Sequence, residues 1–338
     1  MFDRIIVPLD GSRFAEAALD PARELASLFH SRILLTRAIK PFDAPIMAFG
    51  SEVTEIELER LGEADAYLNE MAERLRAQGY DADFSLFIAE PGASISKMAE
   101  LRHADLIVMN TRLRWKIDST SRHPSSVTLR VFQRTRTPVL SYHLSELKPA
   151  DDQTEAARSA SRIVPQLVRP DEPIVVPLDG STFAEQALPV AESLARAFGS
   201  YVVLVQAISP TDTSVADAES VDALHVHVVK EREVRDYLAR VRAEVETQGV
   251  AATTCVEDGT PIVVIERVWR EQGAGLIVMA SHGSDGHHGT LIGSVAASIL
   301  EELEAPVLVI QHAGVPIDQV GSAVQAATSP QNTTLDAQ

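Results

Sequence analysis

The chain has 338 residues, of which 45% are hydrophobic and 23% charged, a globular composition long enough for two domains with separate cores. A formal net charge of −18 leaves little long-range attraction for nucleic acid or anionic lipid, so neither is expected as a partner, and a phosphate site would have to be built locally. The single cysteine, Cys255, excludes an intramolecular disulfide framework and a cysteine-based zinc site, and fits a reducing cytoplasm.

The first residues, Met1-Phe2-Asp3-Arg4-Ile5-Ile6-Val7, lack the basic start and long apolar stretch of a signal peptide, and Pro8 and Asp10 interrupt them early. No apolar run approaches the ~18 residues needed to span a bilayer. Residues 5–19, IIVPLDGSRFAEAAL, read as a β-branched strand, an Asp-Gly-Ser turn and the start of a helix. After the apolar run Leu106–Met109 comes a loop, Asn110-Thr111-Arg112-Leu113-Arg114-Trp115-Lys116 and on to Pro124-Ser125-Ser126-Val127, with no glycine in it. Its basic residues Arg112, Arg114, Lys116 and Arg122 read first as a solvated loop and only second as an anion site. Residues 146–172 are polar and proline-containing and read as a linker, with a short helix over 154–161.

The opening then returns. Residues 174–188 read IVVPLDGSTFAEQAL, and the match runs on in register: Leu25-Ala26 with Leu194-Ala195, Phe29 with Phe198, Ala38-Ile39 with Ala207-Ile208. Later pairs keep the order: Tyr67-Leu68 with Tyr237-Leu238, Leu106–Met109 with Leu276–Met279, Pro138-Val139-Leu140 with Pro306-Val307-Leu308. A period this long is duplication of a whole domain. The expected boundaries are 1–145 for copy one, 146–172 for the linker, 173–313 for copy two and 314–338 for a disordered tail.

In copy two the spacing predicts a strand at Ile174–Val176 and a helix capped by Ser181 that stops at Gly199. A strand over Tyr201–Val205, a long helix over Val221–Gln248 and a strand over Ala252–Val256 come next. The last four elements are a helix over Pro261–Gln272, a strand at Leu276–Met279, a helix over Gly293–Leu303 and a strand at Pro306–Ile310. Continuously apolar strands alternating with helices make an α/β fold. The expectation is two tandem doubly wound domains, each a five-stranded, mostly parallel sheet covered on both faces. Such sheets bind ligands outside the carboxyl ends of the strands, where strand order reverses. That points to Asp179 after strand one and to the loop after strand four.

That loop runs Ala280-Ser281-His282-Gly283-Ser284-Asp285-Gly286-His287-His288-Gly289-Thr290-Leu291-Ile292-Gly293-Ser294-Val295. Glycines that admit close backbone approach, followed by Gly-Ser opening a helix, suit a phosphate. The first N–H groups of the helix, from Gly293 on, are expected to face outward without intrahelical partners. Ser294 can donate a hydroxyl proton to phosphate, and Asp179 can accept from a ribose hydroxyl or an adenine amine. Each feature has a plainer reading. Asp10 and Asp179 serve equally as helix caps, the glycines as loop formers, His282, His287 and His288 as exposed loop residues in preference to metal ligands, and Cys255 as inert core. No nucleophile with a base can be assigned, and no P-loop, G-x-G-x-x-G or G-x-S-x-G motif occurs.

The repeat, the strand-one Asp and the loop spacing together resemble the universal stress proteins of bacteria. Their Gly-x2-Gly-x9-Gly-Ser/Thr signature aligns as Ala280-x2-Gly283-x9-Gly293-Ser294, with Ala in place of the opening glycine, and Pro177-Leu178-Asp179 matches the family's strand-one turn. The resemblance implies an adenine nucleotide alpha hydrolase-like fold and an ATP site, with or without magnesium, in copy two. The residues implied are Pro177, Leu178, Asp179, Ala207, Met279, Ala280, His282, Gly283, Gly293, Ser294, Val295 and Ala296. It also implies pairing through the last strands, here Val139–Tyr142 with Val307–Ile310 as an internal pseudo-dimer, with a homodimer as the other arrangement. The function expected is a cytoplasmic stress-response binding protein. A slow ATPase at the same site and a nucleotide-free interaction scaffold are the alternatives. Copy one, without glycines in its loop, is expected to be structural or regulatory.

Overall fold

The computed structural model describes residues 1–40, 55–111, 127–142, 167–209, 221–282 and 292–311. Gly283, His287, His288, the short helix expected at 154–161 and the residues of the expected tail lie outside these. Copy one carries strands β1 (Arg4–Pro8), β2 (Arg32–Ile39), β3 (Ala82–Ile88), β4 (Leu106–Asn110) and β5 (Val139–Tyr142). Its helices are α1 (Arg13–Glu16), α2 (Leu19–Phe29), α3 (Glu55–Ala77), α4 (Pro91–Leu101) and α5 (Val127–Phe132). Copy two repeats the plan with β6 (Ile174–Pro177), β7 (Val202–Ile208), β8 (Ala252–Asp258), β9 (Leu276–Ala280) and β10 (Val307–Ile310). Helices α6 (Leu188–Phe198), α7 (Val221–Thr247), α8 (Pro261–Glu271) and α9 (Ser294–Glu302) cover it.

Within each copy the strands are parallel, in the order β3-β2-β1-β4-β5 and β8-β7-β6-β9-β10. The two sheets join edge to edge. β10 runs antiparallel to β5, with Val307 opposite Ser141, Leu308 opposite Leu140 and Val309 opposite Val139, so one ten-stranded sheet crosses the molecule. Alternation divides the strand side chains between two layers. Ile174, Val176, Val202, Leu204, Leu276, Val278 and Leu308 pack with α6 and α7, while Val175, Val203, Val205, Ile277, Met279, Val307 and Val309 pack with α8 and α9.

The helix expected to run unbroken from Ser181 is divided. Ser181 does cap, its Oγ accepting from the Ala184 N–H at 3.2 Å, but Ala184–Ala187 is a 3₁₀ turn, and α6 begins at Leu188. Pro189 is the cause. Without an N–H and with a ring that collides with the carbonyl four residues back, it sits only in a first turn. Gly199 ends α6 at φ +67°, as its position after Phe198 predicts.

The end of the region read as linker is part of the core. Leu167 and Val168 are buried, and the Leu167 N–H donates to the Glu24 carboxylate on α2 at 2.7 Å. The segment passes over Gly275, where a Cβ would lie 2.9 Å from the Leu167 carbonyl oxygen. Burial pushes the Glu24 carboxyl above the usual carboxylate range, and the Leu167 N–H opposes that only in part. A carboxyl raised in the folded state holds more protons there than in the unfolded chain across that window, so stability falls as pH rises through it. Glu24→Gln keeps an acceptor for Leu167 and has no charge to desolvate. It is expected to match wild type in acid, to melt at a higher temperature at neutral pH, and to flatten the stability profile between, as read by thermal melts at a series of pH values.

Candidate functional site

In copy two the chain leaves β6 for β7 on one side and returns to β9 on the other, so strand order reverses between β6 and β9. These neighbours run parallel, with Ile174 beside Leu276 and Val175 beside Ile277, which brings their carboxyl ends to one edge. Pro177 and Ala280 are the last residues of the two strands. Leu178 is buried and donates its N–H to the Val205 carbonyl at 2.8 Å, fixing the chain as it leaves β6. Asp179 and Gly180 then turn outward. Gly180 has φ +85°, which a side chain would strain. Asp179 Oδ1 accepts from the Ser181 N–H at 3.0 Å and from its Oγ at 2.5 Å. Asp179 thus holds the turn that follows β6, and the capping contact to Ala184 is made by Ser181.

Four of the expected apolar residues meet on one face of the sheet, while Leu178 packs in the opposite layer, with α6 and α7. Ala207, Met279, Val295 and Ala296 belong to the layer under α8 and α9, together with Ile292. Ile262, in the first turn of α8, packs against the same layer. Sequence reading missed Ile262; the available signal was its place just after Gly259-Thr260-Pro261, at the carboxyl end of strand three.

The loop after β9 is tied at its base. The Ser281 N–H donates to the Ile310 carbonyl at 2.9 Å, and the Ser281 carbonyl accepts from the Gly293 N–H at 2.6 Å. This corrects the expectation for Gly293. Its N–H is engaged by Ser281, and the outward amides begin with Ser294. Gly293 is the N-cap of α9, where a glycine offers no side chain to the first amides, and its carbonyl accepts from the Ala297 N–H at 2.9 Å. Ser294 is exposed, Val295 half-buried and Ala296 buried. A Cβ on Gly293 would lie 3.0 Å from the Ser281 carbonyl oxygen and 3.4 Å from the His282 Cα, so closure of the loop base selects glycine. His282, half-buried, has its Nδ1 3.1 Å from the Ser281 Oγ.

Copy one keeps the turn and alters its surroundings. Asp10 Oδ1 accepts from the Ser12 N–H at 2.8 Å, matching Asp179. At the place of Ala280 stands Asn110, whose Nδ2 donates to the Phe14 carbonyl at 2.8 Å and bridges the gap between β4 and the helix after β1. The Arg37 guanidinium lies beside Gly11, its Nη1 3.2 Å from where a Cβ would be, and sits over the Tyr67 ring at 5.4 Å. Side chains of the protein thus occupy the space at this turn.

The Universal stress protein family model matches residues 1–143 and 172–311. The chain belongs to the universal stress protein family. A universal stress protein of Methanocaldococcus jannaschii is 30% identical over 138 residues, 41% of this chain and 81% of that one, about one copy. Among solved structures, a universal stress protein from Archaeoglobus fulgidus aligns over 91% of this chain and 97% of its own with a TM-score of 0.63 at 19% identity. A Pseudomonas aeruginosa protein described as functionally unknown aligns over 97% of both chains with a TM-score of 0.62 at 17% identity. At these identities the two structures show the shared two-copy fold. Among the described residues no helix is long and apolar enough to cross a membrane. Cys255 is half-buried against the layer under α8 and α9. Burial pushes its thiol up to about 11, and the Glu257 carboxylate adds to the shift, so little thiolate forms near neutral pH.

Proposed function

We propose that this universal stress protein binds one adenine nucleotide, ATP with or without magnesium, in copy two, and acts as a cytoplasmic stress-response binding protein. One observation carries the reading. The Asp179 turn, the end of β9 and the glycine-started N-terminus of α9 are the described elements around the strand-order reversal between β6 and β9. The adenine and ribose lie against Pro177, Leu178, Ala207, Met279 and Ile262, with Asp179 accepting from a ribose hydroxyl or the adenine amine. Phosphate meets the amides of Ser294, Val295 and Ala296, the Ser294 hydroxyl, His282 and the Gly283 backbone. The helix dipole contributes about 0.3–1 kcal/mol. The Ala280 methyl and the absence of Lys and Arg from residues 280–295 support moderate affinity.

Copy one is structural in this reading, since Asn110 and Arg37 fill its equivalent space. The two copies act as an internal pseudo-dimer through residues 1–145 and 173–313. What supports this is the antiparallel pairing of β5 with β10 within one chain.

Asp179→Asn tests the site without removing the turn, because its side-chain oxygen still accepts from Ser181. Affinity for Mg-ATP is expected to weaken about tenfold, the ~1.4 kcal/mol of one charge-assisted hydrogen bond, while the melting temperature holds. Asp10→Asn is expected to leave affinity unchanged. If Asp179→Asn binds as well as wild type in calorimetry, Asp179 shapes the turn and nothing more.

A further inference from the structure

The two copies differ in what stands beside the turn after their first strand. In copy one the Arg37 guanidinium lies against Gly11, its Nη1 3.2 Å from where a Cβ would be, and over the Tyr67 ring at 5.4 Å. The Tyr67 hydroxyl donates to the Glu16 carboxylate at 3.0 Å, and Asp10 acts on the same hydroxyl. Copy two keeps Asp179, Gly180, Glu185 and Tyr237 at the matching positions and has Gln206 where copy one has Arg37. Strand alternation puts Gln206 with Leu204 and Ile208, on the face that also holds Tyr237. Gln206 is 8% exposed, and its Oε1 has no hydrogen-bond partner among the described residues. Beside Gly180, no described atom other than those of its chain neighbours comes within 4 Å of where a Cβ would stand. Arg240 approaches from α7, 3.6 Å from Glu185 and 5.3 Å over the Tyr237 ring, and its exposed side chain leaves that space open.

A buried amide oxygen without a donor is costly, and the surroundings define the donor that suits it. Burial first, and then the Glu185 and Asp179 carboxylates, push the Tyr237 hydroxyl above its usual range, so the field around it is negative. A donor that carries positive charge answers both the acceptor and the field. A guanidinium is such a group, planar and rich in N–H donors, and copy one shows that one fits this place. Asp179 and Gly180 are exposed, so the space is open to a ligand from the side of the turn. We propose that the space beside Gly180 in copy two binds the guanidinium or primary ammonium group of a small organic cation, with Gln206 Oε1 as its acceptor and Asp179 and Glu185 supplying the opposite charge. The site shares Asp179 with the nucleotide reading and does not rest on it.

The test titrates methylguanidinium chloride into the full-length protein without nucleotide, with glutamine side chains labelled with ¹⁵N and the Gln206 signal assigned by its loss in Gln206→Leu. The Gln206 side-chain amide is expected to shift saturably in the millimolar range. Tetramethylammonium at the same ionic strength has the charge and no N–H donor, and is expected to leave it in place. Thermal melting reads the same site in the variants. Methylguanidinium is expected to raise the melting temperature of wild type and not that of Gln206→Arg, whose new guanidinium takes the space as Arg37 does in copy one. Gln206→Leu keeps the bulk without the acceptor and is expected to lose the response as well, which covers a folding defect in the arginine variant. Arg37→Gln is expected to open the matching space in copy one, to melt lower, and to respond more strongly than wild type. A Gln206 signal that methylguanidinium does not move overturns the proposal. An equal shift with tetramethylammonium overturns it too, since the net charge of −18 would then be attracting cations without a site. A melting response kept in both Gln206 variants places the binding elsewhere and overturns it as well. None of these outcomes depends on whether ATP binds.

Discussion

Replacing Gly293 by Asp is expected to abolish measurable nucleotide binding while leaving the fold in place. Gly293 caps α9 with φ −74° and ψ 161°, an extended conformation that suits aspartate, and aspartate is among the preferred capping residues. The helix is therefore expected to form, with the loop base yielding at the Ser281 carbonyl, 3.0 Å from the new Cβ, as it must for any side chain here. The new carboxylate would then sit on the amides of Ser294, Val295 and Ala296 in the place of the phosphate, and repel any phosphate that approached. Losing hydrogen bonds from two of these amides to a charged phosphate, about 1.5 kcal/mol or more each, gives an expected loss of affinity of at least about 100-fold. Gly293→Ala separates charge from bulk. Its methyl group meets the Ser281 carbonyl at 3.0 Å, which the loop base must yield to admit, and a loss nearer tenfold is expected. Calorimetry with Mg-ATP, alongside circular dichroism and thermal melting, reads both variants. Binding by Gly293→Asp at wild-type strength would show that the nucleotide does not use this helix end.

Gly275→Ala is expected to give the largest loss of stability. Gly275 precedes β9, and a Cβ there would stand 2.9 Å from the Leu167 carbonyl oxygen, 3.0 Å from Glu172 Oε2 and 3.0 Å from the Val168 Cα. Two of these atoms are backbone, in a segment with buried Leu167 and Val168 and with its N–H committed to Glu24. The segment cannot step back without breaking those contacts. Overpacking of this kind costs about 1–3 kcal/mol, and a drop of several degrees in melting temperature is expected. The site lies at the other end of β9, five residues and roughly 15 Å away, so affinity of the folded protein for nucleotide is expected to hold. A loss of affinity without a loss of stability would contradict this division of labour.

The sheet was legible because duplication and apolar runs are local signals. IIVP and IVVP, LIVM and LIVM, and the Pro-Val-Leu pairs mark the same strands twice, and their uninterrupted hydrophobicity means burial on both faces. The end of each strand reads less well: β7 continues past Val205 to Ile208 and β8 past Val256 to Asp258, since the two strands stay paired through the polar residues Gln206 and Glu257. Pro189 was visible, but its effect on the start of α6 depends on competition between a capping turn and a helix. The Gly293 amide could not be assigned from sequence because its partner, Ser281, lies twelve residues earlier and meets it only after the loop has closed. Leu167 and Val168 were hidden for a related reason: two apolar residues at the end of a polar stretch carry no periodicity, and their burial is set by Glu24 and Gly275, each more than a hundred residues distant in sequence. In copy one the missing glycines indicated a lost cradle. That Asn110 and Arg37 fill the space is a matter of side-chain direction, which sequence does not carry.

The number of nucleotides bound by one chain distinguishes a site in copy two alone from a site in each copy. Equilibrium dialysis of the 338-residue protein against labelled ATP with magnesium is predicted to saturate at one per chain, unchanged by Asp10→Asn and removed by Gly293→Asp. Saturation at two per chain, or one site that survives Gly293→Asp, would contradict an account in which copy two alone carries the nucleotide, and no uptake would leave the protein a scaffold.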